Sequence, residues 1–382
     1  MQGTGSREPD IPTASQGSVR ILIAGGGTGG HIIPALAIAD ELKAQHGAEI
    51  LFVGTARGLE SRLVPAAGYR LELIRVGQLN RVSLATRLRT LIDLPMGLLQ
   101  CVRLLRTFRP AVVIGVGGYA SGPVMGAAIL LRIPTLAFEP NAIPGLANRL
   151  VGSWVKAAAV NFKPAARYFR NAHLTGIPVR SEFFHLAQRP LEAAPRLLVF
   201  GGSQGARALN GMMPKIAASL LASVPGLTLL HQAGARHAEA TLAAYQASGA
   251  PRDRWQVEAF LDDMPRRFEA ADLVLARSGA STVAELAAAG KPAVLIPLPT
   301  AADDHQRRNA EVMAQAGAAR VLLEQDLTEA LLEGTLSDLL TQPAKLRGMA
   351  ENAKALARPD AAQKIARMAM ALARGDFRKE AF

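Results

Sequence analysis

Residues 20–31 read RILIAGGGTGGH, and residues 196–207 read RLLVFGGSQGAR. Each stretch opens on an arginine, runs through four apolar residues, turns on glycines and enters a segment of helical composition. That segment is HIIPALAIADEL in the first half and ARALNGMMPKIAASL in the second. Gly25, Gly26 and Gly29 correspond to Gly201, Gly202 and Gly205. An apolar strand that feeds a glycine turn and then a helix is the opening βα unit of a doubly wound parallel sheet. The rhythm continues in both halves. Further apolar runs fall at 50–53, 111–116 and 134–138, and then at 227–231, 255–258, 272–276 and 293–297. A stretch punctuated by Pro178, Pro190 and Pro195 separates them. The sequence therefore predicts an α/β fold of two Rossmann-like, doubly wound parallel-sheet domains facing a central cleft. Residues 1–18 form a Gly/Ser/Pro-rich tail, 19–177 the first domain, 178–345 the second, and 346–382 a helical segment with the composition to pack back on the first.

The 382 residues suit two domains, and 49% hydrophobic residues against 19% charged ones exclude wholesale disorder. Cys101 is the single cysteine, so no intramolecular disulfide forms. The first 18 residues lack a signal peptide's apolar core, and a soluble cytoplasmic protein is expected. Residues 111–131 carry no charge, but their glycines and Pro123 read as strand, turn and short helix rather than a membrane span. The net charge of +12 is lopsided: residues 1–180 hold 20 Lys and Arg against 9 Asp and Glu, residues 181–382 hold 23 against 22. Arg75, Arg81, Arg87, Arg89, Arg103, Arg106 and Arg109 face one acid, Asp93, and interleave with leucines. Such a segment suits an anionic membrane surface or a phosphorylated lipid, but taken alone it reads first as a solvated basic face on ordinary helices. One aromatic, Phe108, and no nucleic-acid motif argue against nucleic acid as a partner.

Three glycine turns, GGGTGG (25–30), GVGGYASG (115–122) and GGSQGA (201–206), are suited to present backbone N–H groups and a helix N-terminus to an anion. Three in one chain, two in repeat register, point to a phosphorylated ligand. Gly25, Gly27 and Gly30 satisfy the dinucleotide fingerprint, but the next strand ends at Gly54, Thr55, Ala56 and Arg57 without the expected acid, which leaves NADP as the nicotinamide option. His31 falls in the opening turn of its helix, where the dipole keeps an imidazole neutral; it reads as a general base or as a packing histidine. Thr282 and Glu285 have capping-box spacing, yet Glu285 also sits where a carboxylate holds ribose hydroxyls. Asp303 and Asp304, beside His305, read as caps at a helix start rather than as metal ligands.

The blocks GGGTGGHIIPALAIADEL, GVGGYASGPVMGAA, FEPNAIPGLANR, GGSQGARALN and RSGASTVAELAAAGKPAVLIPLPTAADDHQRRNA closely resemble, in order, those of the MurG family. The likeness spans roughly residues 19–370. It implies the GT-B arrangement and a peripheral enzyme on the cytoplasmic face of the bacterial inner membrane. The implied activity moves N-acetylglucosamine (GlcNAc) from UDP-GlcNAc to the C4 hydroxyl of N-acetylmuramic acid (MurNAc) in lipid I, giving lipid II for the cell wall. No cofactor or metal is implied. The family's donor contacts fall on Thr28, Gly29, Gly30, Asn141, Arg180, Ser203, Leu261, Ala280, Ser281, Thr282, Val283, Ala284, Glu285 and Gln306. His31 matches the candidate base, and Tyr119 and Glu139 lie in segments lining the acceptor side. Another GT-B nucleotide-sugar enzyme (a glycolipid synthase or a UDP-GlcNAc epimerase) and an NADP-linked oxidoreductase are the alternatives.

Overall fold

A computed structural model describes residues 18–56, 58–74, 84–187, 189–190 and 194–378, with the backbone alone for 84–95. Residues 1–17 of the tail, Arg57, Arg75 and Arg81, and the side chains of Arg87, Arg89 and Asp93, lie outside this description.

The first half is built from β1 (Arg20–Ala24), α1 (Gly29–His46), β2 (Glu49–Gly54), α2 (Glu60–Ala66), β3 (Arg70–Leu73), α3 (Leu84–Phe108), β4 (Val112–Gly115), α4 (Ser121–Leu130), β5 (Thr135–Glu139), α5 (Leu146–Val151), β6 (Ala157–Val160) and β7 (Ala172–Leu174). The second comprises β8 (Arg196–Phe200), α6 (Arg207–Ser223), β9 (Thr228–Gln232), α7 (Ala238–Ala247), β10 (Trp255–Glu258), α8 (Met264–Ala270), β11 (Leu273–Ala276), α9 (Ala280–Ala289), β12 (Ala293–Leu295), α10 (His305–Gln315), β13 (Ala319–Val321), α11 (Glu329–Leu340), α12 (Pro343–Ala355) and α13 (Ala361–Arg374).

The strand orders are β3-β2-β1-β4-β5-β6-β7 and β10-β9-β8-β11-β12-β13. Every described pairing is parallel, from Ile21 beside Val112 in the first sheet to Leu275 beside Val199 in the second. The expected doubly wound α/β class is thus observed twice. In each sheet the order reverses beside the repeated strand, β1 or β8, which opens a crevice at the carboxyl ends of the strands.

Both faces of each sheet are covered, which explains strands that are apolar on both sides. Ile21 and Ile23 pack with α1 and α13 on one face of the first sheet, and Leu22 and Ala24 with α3, α4 and α5 on the other. In the second sheet, α6 and α11 cover one face and α8, α9 and α10 the other. Helix α13 crosses back, seating Ile365, Ala366, Met368 and Ala369 in the first sheet's core. Ala280 of α9 joins the same cluster, so the two halves meet through packed side chains.

Four short strands escaped the sequence reading: β3, β6, β7 and β13. β6 is AAAV, whose composition favours a helix; it is extended because it sits fully buried between β5 and β7. β7 and β13 span three residues each, too few to show a period.

Candidate active site

The first and second glycine turns lock together behind the crevice. Gly26 N donates to the carbonyl of Gly117 at 3.2 Å, and a Cβ on Gly118, whose φ is +81°, would fall on the Gly26 backbone. α1 then starts at Gly29 with Thr28 as an extended N-cap residue. His31 is the third helical residue, half-buried, with its Nδ1 3.2 Å from Thr28 Oγ1. Burial, and next the nearby His305, hold its pKa below the ordinary histidine value, against the Gly26 carbonyl and the Glu60 charge. The influence of His305, the first residue of α10, places His31 opposite the second domain.

Glu60 was missed by the sequence reading. It is 1% exposed and accepts from Gly27 N at 2.6 Å and from Thr55 N and Oγ1 at 2.9 Å each. A protein carboxylate therefore already holds one of the amides that the sequence reading offered to a phosphate. The available signal was an acid just after the second strand, in GTARGLE, though not where the fingerprint places it.

Glu139 ends β5 and is also buried, 2% exposed. Its two oxygens accept from Asn141 N (2.9 Å) and Nδ2 (3.2 Å), Gly145 N (3.3 Å) and Asn148 Nδ2 (2.9 Å), which folds the 139–145 loop around it. Burial pushes its pKa up to about 7 against those donors. Tyr119, by contrast, is half exposed at the tip of the second turn.

On the other side of the crevice, Ser203 is exposed in the turn that precedes α6. The turn is braced from behind by a buried chain. Asn210 Nδ2 donates to the Ala233 carbonyl (2.8 Å), His231 Nε2 meets Asn210 Oδ1 (3.1 Å), and His231 Nδ1 meets Tyr245 Oη (3.1 Å). α9 begins at Ala280 with Gly279 at its N-cap. Thr282 is therefore inside the helix, and the capping-box reading of Thr282 and Glu285 is corrected: Glu285 lies a turn beyond the cap, free to act on something else. Burial pushes its pKa up to about 7, opposed by Arg180. Ser281 Oγ is buried without a hydrogen-bond partner among the described residues, an arrangement that calls for an explanation at a helix N-terminus. Leu261 and Val283 are buried together beneath this region. Gln306 Oε1 accepts from Leu298 N at 3.0 Å.

Asp303 and Asp304 do not cap through their side chains. Asp303 pairs with Arg149 of the first half at 2.8 Å, and both acids hold positive φ, +52° and +54°. The turn they form delivers His305 and Gln306 to the crevice. One helical turn on, Asn309 is fully buried and bridges the halves. Its Oδ1 accepts from Ala142 N (2.9 Å), and its Nδ2 donates to Asn141 Oδ1 and the Ser278 carbonyl (3.2 Å each). Asn309 was likewise not singled out from the sequence, although it is the penultimate residue of the longest motif block.

The site thus gathers His31, Tyr119 and Asn141 from the carboxyl end of the first sheet, and Ser203, α9 and Gln306 from that of the second. Arg180 comes from the connection between them.

Residues 21–160 match the glycosyltransferase family 28 N-terminal domain, and residues 196–365 match the glycosyltransferase family 28 C-terminal domain. A UDP-N-acetylglucosamine--N-acetylmuramyl-(pentapeptide) pyrophosphoryl-undecaprenol N-acetylglucosamine transferase of Anaeromyxobacter dehalogenans is 46% identical over 361 residues, 93% of this chain and 94% of that one. Its namesake in Geobacter metallireducens is 41% identical over 355 residues, 91% and 97% of the two chains. The crystal structure of Acinetobacter baumannii MurG superposes with a TM-score of 0.79 at 31% identity, covering 92% of this chain and 99% of that one. The calicheamicin glycosyltransferase, 18% identical with a TM-score of 0.63 over 92% and 98% of the two chains, shares the fold. With such relatives spanning more than nine-tenths of its length, the chain belongs to the MurG family within glycosyltransferase family 28.

Proposed function

We propose that the protein transfers GlcNAc from UDP-GlcNAc to the C4 hydroxyl of MurNAc in lipid I, inverting the anomeric centre, with His31 as the base. The observation that carries the mechanism is a histidine kept neutral by burial at the crevice, within the influence of His305 at the start of α10, the helix that carries Gln306. The identity to transferases of this specificity favours the reading over another nucleotide-sugar enzyme or an NADP-linked oxidoreductase. Residues 19–177 present the acceptor side and residues 178–345 bind the donor.

In this reading Glu285 accepts from the uridine ribose hydroxyls and Arg180 stands beside it. Ser281 and the N-terminus of α9, with Ser203 and the turn before α6, meet the diphosphate. Thr28, Gly29, Gly30, Asn141 and Gln306 border the sugar. The acceptor oxygen attacks C1 from the face opposite UDP; the C1–O bond to the diphosphate breaks as the new one forms. His31 takes the hydroxyl proton, and the charge that develops on UDP falls on preorganised N–H groups, an effect worth about 3–4 kcal/mol per donor in comparable sites. Determination of the product linkage tests this: a β-linked disaccharide from the α-linked donor supports inversion, and a retained α-linkage contradicts it.

The acceptor is a membrane lipid, and the exposed residues of the first domain suit a membrane surface. α3, α4 and α5 pack side by side. These helices and the turns after them expose Met96, Leu99, Leu130 (69%), Leu150 and Trp154 (72%), with Arg103, Arg106 and Arg132 also exposed. Trp154, on a turn after α5, supplies an exposed interfacial aromatic, whereas Phe108, the aromatic of residues 75–110, is buried. Among the described residues no helix is long and apolar enough to cross a membrane. Vesicle co-sedimentation should rise with anionic lipid, fall with salt and weaken in Trp154→Ala; binding indifferent to all three contradicts peripheral attachment here.

A further inference from the structure

The buried carboxylate of Glu60 has no role in the chemistry above, yet the first glycine turn is shaped around it. Positions 26, 54 and 58 are all glycine, and a Cβ on any of them would run into the Glu60 side chain. Gly26 comes from the first turn, Gly54 from the end of β2 and Gly58 from the loop after it, so the space is made for the acid rather than for a ligand. Burial works against its charge, but the N–H groups of Gly27 and Thr55 and the Thr55 hydroxyl outweigh it and hold the carboxyl below its usual range. A fixed negative charge therefore sits directly beneath the loop. Its shortest bond goes to Gly27 N, at 2.6 Å. The Thr28 hydroxyl meets the His31 ring at 3.2 Å and the Gly26 carbonyl acts on the same ring; the two groups stand on either side of Gly27.

We propose that Glu60 is a positioning residue for sugar transfer: by clamping Gly27 from below it sets the two loop groups that orient the His31 ring, and its charge supports that ring as a proton acceptor. The inference rests on the reading of His31 as the base. Among the described residues, the charged or titratable groups acting on the ring are Glu60 from α2 and His305 from α10, with opposite effects. Glu60 favours the imidazolium that forms as the acceptor hydroxyl is deprotonated, and His305 opposes it. A purely structural acid predicts loss of stability alone; a positioning acid predicts a change in the titration of the reaction.

The test is steady-state kinetics of Glu60→Gln, Glu60→Asp, His31→Ala and the Glu60→Gln/His31→Ala double variant, with UDP affinity measured as the check on folding. Glu60→Gln should lose about ten- to a hundredfold in kcat, within the roughly 10²–10⁴-fold that a positioned base contributes. Its acid limb of kcat should move to lower pH, because the imidazole loses a favourable charge and becomes a weaker base. Glu60→Asp keeps the charge but withdraws it from Gly27, so kcat should fall while the acid limb stays in place. The double variant should be no slower than His31→Ala. An unmoved acid limb in Glu60→Gln, or a double variant slower than His31→Ala, overturns the role of Glu60 while leaving the base intact. Near-normal turnover in His31→Ala overturns the base itself, and the proposal with it. Should Glu60→Gln fail to bind UDP, Glu60→Asp decides alone, and a wild-type kcat there overturns the proposal.

Discussion

His31 and Glu285 are assigned opposite duties, and substitution separates them. His31→Ala should cut turnover by about 10²–10⁴-fold, the usual contribution of a general base, with UDP affinity unchanged by calorimetry. Near-normal turnover would remove it from the reaction. Glu285→Ala should instead weaken donor binding roughly 10- to 100-fold, equivalent to about 1.5–3 kcal/mol for hydrogen bonds to a charged group. A pH dependence follows from its burial. Burial holds Glu285 at about 7, so a large share is protonated just below neutrality, whereas ribose hydroxyls bond best to the carboxylate. Binding therefore lowers its pKa and releases protons, and donor affinity should rise from about pH 6 to about pH 8. Glu285→Gln should flatten that rise; an unchanged slope would assign the titration to another group. His31 and Glu285 were visible in the sequence because each sits beside a turn of recognisable form. Glu60 and Asn309 were not, because their surroundings include groups far off in the sequence, Gly26 for Glu60 and the Ala142 amide for Asn309.

At the scale of elements, the glycine turns carry the architecture and the chemistry together. The repeated strand–turn–helix unit was legible because a strand buried on both faces is apolar throughout and its turn needs glycine. What each turn does was less legible. The first turn spends an amide on Glu60, whereas the turn before α6 keeps Ser203 exposed and is braced by Asn210, His231 and Tyr245. Gly205 is the point of contact in that brace: its φ is +72°, and a Cβ there would penetrate the Ala233 carbonyl. Gly205→Ala should therefore displace the turn, lower UDP affinity at least as much as Glu285→Ala, and cost about 1–3 kcal/mol of stability, the range of a strained backbone position. Unaltered UDP binding would detach this turn from the diphosphate. The short strands β6, β7 and β13 were illegible because their conformation is imposed by neighbouring strands rather than by their own residues.

Over the whole molecule, among the described residues, the halves are joined by apolar packing at α9 and α13 and by a buried polar bridge at Asn309. Asn309 touches the 139–145 loop of the first half at Ala142 and the turn before α9 of the second half at Ser278. Asn309→Ala leaves a buried N–H and a buried carbonyl unpaired, a cost of about 1–3 kcal/mol per group. The melting temperature should fall, and kcat more than UDP affinity, because the residue aligns two half-sites. Arg149→Ala removes only a half-exposed pair with Asp303 and should cost under about 1 kcal/mol. A bridge of this kind has no sequence signature, since its partners lie more than 160 positions apart. The two-domain plan, by contrast, was written in the internal repeat. Whether the assembled crevice performs lipid-linked GlcNAc transfer is tested most directly by UDP release from UDP-GlcNAc, with EDTA present, with and without a soluble lipid I analogue. Release that requires the analogue is the predicted result. Release that ignores the analogue, or none in either case while UDP-GlcNAc still protects the protein against heat, would contradict the acceptor assignment.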